Sequence, residues 1–197
     1  MTFRRARCAH CRKKFVPERP SQIVHAECVE AWAEAQAAKR KREDAKRAVT
    51  AARVDRAEVR RRKEAIKTIP QLVAEAQREF NAFIRLRDQI AGHPCISSGR
   101  PLDWSGNGVD AGHYRSTGAA PHLRFNEDNC HAQAKQENRW LAGNAADYRV
   151  GLIARIGQVR VEALESDSTV HKWTREELTA IRDTYRRKAK EMKEKTP

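Results

Sequence analysis

From Val29 to about Lys67 the chain reads "VEAWAEAQAAKRKREDAKRAVTAARVDRAEVRRRKEAIK", without Gly or Pro and rich in Ala, Glu, Lys and Arg. Such a segment has strong helix propensity but little apolar stripe, so the pattern predicts a long solvated helix, about 55 Å if continuous. Pro70 marks a boundary. In "QLVAEAQREFNAFIRLRDQI" that follows, Leu72, Val73, Ala76, Phe80, Phe83, Ile84 and Leu86 fall near helical spacing, which gives this helix a face to bury. Residues 91–144 are dense in Gly, Asn, His and Pro, which suits short strands and irregular loops, the places where chemistry concentrates. The helical pattern returns after Gly143 in "DYRVGLIARIGQVRVEALES". A last helix opens with Thr174 three residues before Glu177, a capping-box pattern. The segments are therefore 1–28, a long basic arm over 29–69, a core over 70–160 and a C-terminal helical segment over 161–197. The fold class is mainly α with a small α+β core.

Composition sharpens this picture. Of 197 residues, 40% are apolar and 34% charged, which argues for a small globular unit with exposed helices rather than one large core. A formal net charge of +14, from 40 Lys and Arg against 26 Asp and Glu, makes a polyanion the expected partner, with nucleic acid first. No apolar run approaches the roughly 20 residues that cross a bilayer, and the opening residues lack a secretory pattern. A cytoplasmic location with no membrane partner follows as the expectation. In that reducing compartment the five cysteines read as metal ligands or free thiols.

Four of the potential ligands are paired at the N-terminus, Cys8-x-x-Cys11 and His25-x-x-Cys28. Three thiolates and an imidazole close a tetrahedral structural Zn2+ shell with no open catalytic position, in a zinc-ribbon-like element. The plain alternative is that His25 and Cys28 merely begin a helix. The long helix carries two basic clusters, Lys39, Arg40, Lys41 and Arg42, then Arg60, Arg61 and Arg62. They read equally as a solvated spacer or as a phosphate-contacting arm that gives affinity without sequence preference.

The segments "VDAGHYRS" and "NEDNCHAQAKQENRW" offer a histidine between strand residues, Asn-rich turns and a short helix. That combination can supply a general base and oxygen ligands for a divalent cation, with Arg115, Arg124, Lys135 and Arg139 available for phosphates. Phosphodiester hydrolysis needs such a set. A hydrogen-bonded structural histidine and loop-shaping asparagines are the bland reading of the same residues.

The run "CISSGR...DAGHYRSTGAAPHLRFNEDNCHAQ...N...GN...YRVGLIARIG" resembles the NinG (Rap) family of lambdoid phage recombination proteins, within the HNH, or ββα-metal, endonucleases. The resemblance covers nearly the whole chain. It implies an HNH core and cleavage of branched DNA such as Holliday junctions and strand-invasion intermediates, inside the host cell of a phage or prophage. It makes His113 the general base and Asn129 the residue that holds the loop and orients that base. Asn138 stands at the final ligand position, and Asp110 is the nearest carboxylate for a catalytic Mg2+ or Mn2+. The chain departs from the pattern at Gly112, which cannot ligate, where many HNH enzymes place a ligand directly before the base.

The resemblance also implies two Cys-x-x-Cys pairs around the core zinc. The positions here are Cys95, Ser98, Ala134 and Glu137, so only one thiol remains. Zinc is therefore expected to be absent from the core, with apolar or hydrogen-bonded packing in its place. A rearranged site using His93, Cys130 and His131 is the alternative. A homodimer would suit symmetric cutting, although the long helix shows no heptad seam, and phage recombination proteins are further candidate partners. The competing functions are an architectural branched-DNA binder that keeps the HNH shape and, last, an RNA-binding zinc-ribbon protein. Aromatics are 6% of residues, too few for a stacking platform along a single strand.

Overall fold

A computed structural model describes residues 6–140 and 144–195; Gly143, where the helical pattern resumes, lies outside them. The chain forms two compact units, Met1–Ile66 and Lys67–Pro197. Among the described residues it is mainly helical, with two small antiparallel sheets.

In the first unit, β1 (Ala6–Arg7) pairs with β2 (Lys14–Phe15). The turn between them is a knuckle: the Arg12 N–H donates to the Cys8 carbonyl at 3.0 Å, and the Cys8 N–H donates to the Lys13 carbonyl at 2.9 Å. Arg12 takes φ +64°, the left-handed conformation that usually falls to glycine. A short 3-10 turn over Ala26–Cys28 leads into α1 (Val29–Ala65), 37 residues with none buried. Its polar sequence and the observed exposure agree, since helix propensity and ion pairs such as Arg62–Glu58 at 2.6 Å need no core.

The second unit begins with α2 (Ile69–Ile90), capped by a Thr68/Gln71 box with Pro70 in its first turn. Its predicted face is the one that packs: Leu72, Ala76, Phe80, Phe83 and Ile84 are buried with Leu178 and Tyr185 of α6 (Arg175–Lys195). The Thr174/Glu177 box caps α6, with reciprocal bonds of 2.8 and 3.2 Å. Between these helices in sequence lie β3 (Val109–His113) and β4 (Cys130–Ala134), antiparallel in the register His113↔Cys130 to Val109↔Ala134. The short α3 (Lys135–Trp140) follows β4 directly. A second cluster joins Ile96, Leu123, Tyr148 and Leu152 to Val161 and Leu164.

Two expectations about segments change. The helix expected from Asp147 is two helices, α4 (Ala145–Ile156) and α5 (Gln158–Ser166). They break at Gly157, whose φ of +87° a residue with a side chain rarely adopts. The boundary expected after residue 160 falls inside α5, and α6 packs along α2, so 161–197 belongs to the same unit as 70–160.

Candidate functional site

The first unit gathers Cys8, Cys11, His25 and Cys28 so that their ligand atoms all lie within 4.8 Å of one another. His25 turns Nδ1 inward, 3.4 Å from Cys11 Sγ and 3.8 Å from Cys28 Sγ. A tetrahedral zinc with Zn–S bonds near 2.3 Å sets its ligand atoms roughly 3.8 Å apart, so this cluster fits the ion. Burial by itself would raise the Cys8 thiol, but backbone hydrogen bonds from Cys11, His25 and His10 bring it down to about 6, towards the thiolate that metal binding needs. Phe15 packs on the His25 ring at 4.8 Å between centroids. This is the only such group of three or more His, Cys, Asp or Glu among the described residues.

In the second unit His113 ends β3, and its surroundings fix its protonation pattern. Nε2 lies 2.9 Å from the Arg124 carbonyl, an acceptor, so Nε2 carries the proton and Nδ1 the lone pair. Burial, the larger effect, and the Arg124 cation lower the His113 pKa despite that carbonyl, which keeps the ring neutral. Nδ1 is met at 3.7 Å by the Cys130 thiol, and burial pushes that thiol far up and keeps it protonated. His113 lines a cleft of about 270 Å3 with Ala111, Ser116, Thr117 and Asn138.

Asn129 holds this arrangement. Its Oδ1 accepts from the Arg115 N–H at 2.8 Å, while Nδ2 donates to the carbonyls of Arg115 and Leu123 at 3.0 and 3.2 Å. Fully buried, it ties the 115–123 loop to the end of the hairpin and so presents the Arg124 carbonyl to His113. Asn126 supports it by accepting from the N–H groups of Asp128 and Asn129.

Asn138 and Asp110 come together as expected of neighbours across β3 and α3: the Asn138 amide donates to Asp110 Oδ2 at 3.1 Å, and Arg139 Nε approaches the same oxygen at 3.3 Å. Gly112, the departure from the ligand pattern, has a steric reason. A Cβ there would lie 2.1 Å from Gln133 Oε1, because the buried Gln133 side chain crosses the glycine to donate to Ser97 Oγ at 2.6 Å.

The basic residues divide. The Arg115 guanidinium donates to the carbonyls of Leu164 and Asp167, and Arg124 donates to Gln77 Oε1 and the Thr117 carbonyl. Both side chains are engaged within the fold, Arg115 at the C-terminal end of α5 and Arg124 between α2 and the 115–123 loop. Lys135 donates to the Asn107 carbonyl at 3.1 Å. Arg139, although paired with Asp110, keeps 61% of its side chain exposed. Lys39 to Arg42 and Arg60 to Arg62 lie exposed on α1.

At the expected zinc position of the core, the knuckle turn survives without the ligands. Gly99 sits at φ +67° and donates to the Cys95 carbonyl at 2.9 Å, while the buried Cys95 thiol accepts from the Ala134 N–H at 3.3 Å. Glu137 accepts from Asn144 instead, and Cys130 and His131 are committed elsewhere. His131 donates from Nε2 to the Asp128 carbonyl and accepts at Nδ1 from Arg87.

Arg87 belongs to a buried charge network that the apolar pattern of α2 does not reveal. Fully buried Asp88 accepts from Arg87 Nε at 2.8 Å and from the Ala132 N–H at 2.6 Å, with Arg155 at 3.6 Å and His131 at 3.7 Å. Burial opposes its charge, but the Arg87 guanidinium and the Ala132 N–H that donate to it hold the carboxyl far below the usual range. Arg87 also donates to the carbonyls of Glu127 and Cys130, and Arg155 to that of Pro94. Helices α2 and α4 are thus fastened to β4, next to the His113 strand. The only legible signal was an aspartate interrupting an otherwise packed face.

A basic chain with a Cys/His cluster, a hairpin-helix unit and this sequence pattern belongs to a family of phage proteins. The family model described as "Bacteriophage Lambda NinG protein" matches residues 2–195, and the chain is a member of the NinG family. It is 46% identical over 134 residues to Protein ninG of Escherichia phage lambda, covering 67% of this chain and 62% of that protein. With Protein ninG of Salmonella phage P22 it shares 45% identity over 135 residues, covering 68% and 63%. The matched stretch spans less than two thirds of these relatives' length. No solved structure matches the chain. Among the described residues no helix is long and apolar enough to cross a membrane.

Proposed function

We propose that this protein is a metal-dependent endonuclease that hydrolyses phosphodiesters in branched recombination DNA, inside the host cell of the phage, using an HNH-type hairpin-helix core. The observation that carries the reading is the setting of His113. Its Nε2 proton is fixed on the Arg124 carbonyl by a loop that Asn129 ties down, which leaves Nδ1 as a neutral base beside a cleft shared with Asn138. In the reaction Nδ1, the unprotonated ring nitrogen, takes the proton of the attacking water. The imidazolium so formed is held by the carbonyl that already accepts its other N–H.

Asp110 and Asn138 provide the small oxygen set that Mg2+ accepts, since this ion keeps several waters and takes substrate phosphate oxygens as well. Bound there, such an ion supplies charge stabilisation at the scissile phosphate. Arg139, already beside Asp110, is placed to grip a neighbouring phosphate, and the exposed clusters on α1 extend the backbone contacts. Preference for branches then arises from DNA shape and deformability rather than from base reading. The N-terminal Cys/His cluster holds a structural zinc.

An architectural DNA binder is the second reading, favoured by Gly112 and by the missing core zinc ligands. The His113→Ala variant separates the two. Under the nuclease reading it binds a four-way junction as the parent does and loses cleavage by at least about a hundredfold, the low end of what a positioned base contributes. Equal cleavage by parent and variant refutes the role of His113.

A further inference from the structure

On the α2 side of β3 lies a second cleft, about 380 Å3, walled by Arg85 and Gln89 of α2, Lys193 of α6, Asp110 of β3 and the loop that carries Trp104 and Asn107. We propose that it binds one unpaired nucleotide of a DNA strand, with the base stacked on Trp104 and the flanking phosphates on Arg85 and Lys193. The branched-DNA reading is needed only to say where the unpaired nucleotide comes from.

The loop holding the indole is built rather than slack. Asp103 Oδ1 accepts from the Ser105 N–H and hydroxyl at 2.9 and 2.6 Å. At its far end the Gly108 carbonyl accepts from the Lys135 N–H at 2.8 Å, and Lys135 Nζ holds the Asn107 carbonyl. Trp104 is half-buried in this setting and has no packing partner in either core cluster of the unit. A large aromatic side chain fixed at the mouth of a polar cleft offers a π-face to a base.

The charges fit a phosphate-bearing ligand. Most Arg side chains of this unit are paired with carboxylates or carbonyls, whereas Arg85 and Lys193 have no hydrogen-bond or ion-pair partner among the described residues. The one carboxylate in the wall, Asp110, is already met by Asn138 and Arg139. Through that bond the cleft adjoins the residue that lines the His113 cleft from the other side. A single indole makes no platform for a run of bases, in keeping with the sparse aromatics. It accommodates one base, such as a base displaced from its pair at a branch point.

The test uses the full chain without added divalent ion, so that no strand is cut. Binding of a six-residue oligothymidylate is measured beside a fully paired linear duplex, together with the fluorescence of 2-aminopurine placed unpaired at a junction. Trp104→Ala is expected to weaken oligothymidylate binding by about tenfold, the scale of one base–aromatic stack, while duplex affinity stays within about twofold. Trp104→Phe restores most of the loss and of the 2-aminopurine quenching. Arg85→Gln lowers the salt dependence of strand binding by about one counterion. The proposal is overturned if Trp104→Ala leaves strand affinity and quenching unchanged, or if it weakens duplex and strand equally. Should the parent cut no junction in Mg2+ or Mn2+ while Trp104→Ala still loses strand binding, the nuclease reading fails and this site stands; should His113→Ala abolish cutting while Trp104→Ala leaves strand binding unchanged, the nuclease reading stands and this site fails.

Discussion

Asp88→Asn removes a buried charge while keeping the shape of the side chain, and its cost follows from what it leaves behind. Arg87 and Arg155 have side chains only 23% and 13% exposed, so both lose a low-dielectric counter-charge that solvent replaces poorly. Breaking a buried pair by removing one partner costs about 3–5 kcal/mol. Asparagine still accepts one of the bonds from Arg87 Nε and the Ala132 N–H, which puts the expected loss near the lower end, about 3 kcal/mol. The network lies in the second unit, so the readout must belong to that unit. Tyr114, Tyr148 and Tyr185 all lie in it, and in a Trp32→Phe background, which removes the first unit's tryptophan, the near-ultraviolet signal during urea unfolding reports on the second unit. A double-mutant cycle with Arg155→Met isolates the pair, with a coupling above about 1 kcal/mol expected for contacting residues. The carboxyl is depressed in the folded state, so its stabilisation is present above the unfolded value of about 3.9 and is lost as pH falls through the folded value. The gap between parent and variant therefore narrows only below about pH 4. A loss under 1 kcal/mol with additive substitutions would refute the network's importance.

Other consequences are separable from that one. Metal analysis is expected to find about one zinc per chain, and Cys11→Ser or a chelator removes it, unfolding the knuckle while the tyrosine signal of the second unit is unchanged; two zincs per chain would contradict the reading of Cys95. Gly151→Ala places a Cβ 1.9 Å from the Ile96 carbonyl oxygen, a backbone clash costing roughly 1–3 kcal/mol or more, visible as a lower urea midpoint. Asn129→Ala removes three hydrogen bonds at a buried site and is expected to slow cleavage and raise amide exchange across residues 115–123. Because the pKa of His113 is lowered, the acid limb of the cleavage rate lies below the ordinary imidazole value of about 6.5, and a limb above that value counts against His113 as the base.

Much of the helical framework was legible because it obeys periodic rules. The buried face of α2, the Thr174/Glu177 capping box and the polar length of α1 follow from spacing and propensity. The break at Gly157 was not, since one glycine inside an amphipathic run is also compatible with a continuous helix. The Cys/His cluster was readable from ligand spacing. The partners of Arg115 and Arg124 within the fold were not, because Leu164, Asp167 and Gln77 come from helices and helix ends more than 40 residues away. The same holds for Asp88, whose partners Ala132 and Arg155 come from distant segments. Gly112 illustrates the converse: a departure from the family pattern acquires its reason only when Gln133 is seen lying across it.

The account rests on a nuclease site that works without the neighbouring zinc, and one experiment addresses it directly. A labelled four-way junction and a linear duplex of the same sequence are incubated with the full chain in Mg2+, in Mn2+ and with no added divalent ion. The account predicts cutting that requires the added ion and favours the junction. Binding of both DNAs with no product under any condition would contradict it, and would leave the chain a DNA-binding scaffold with the shape of an enzyme.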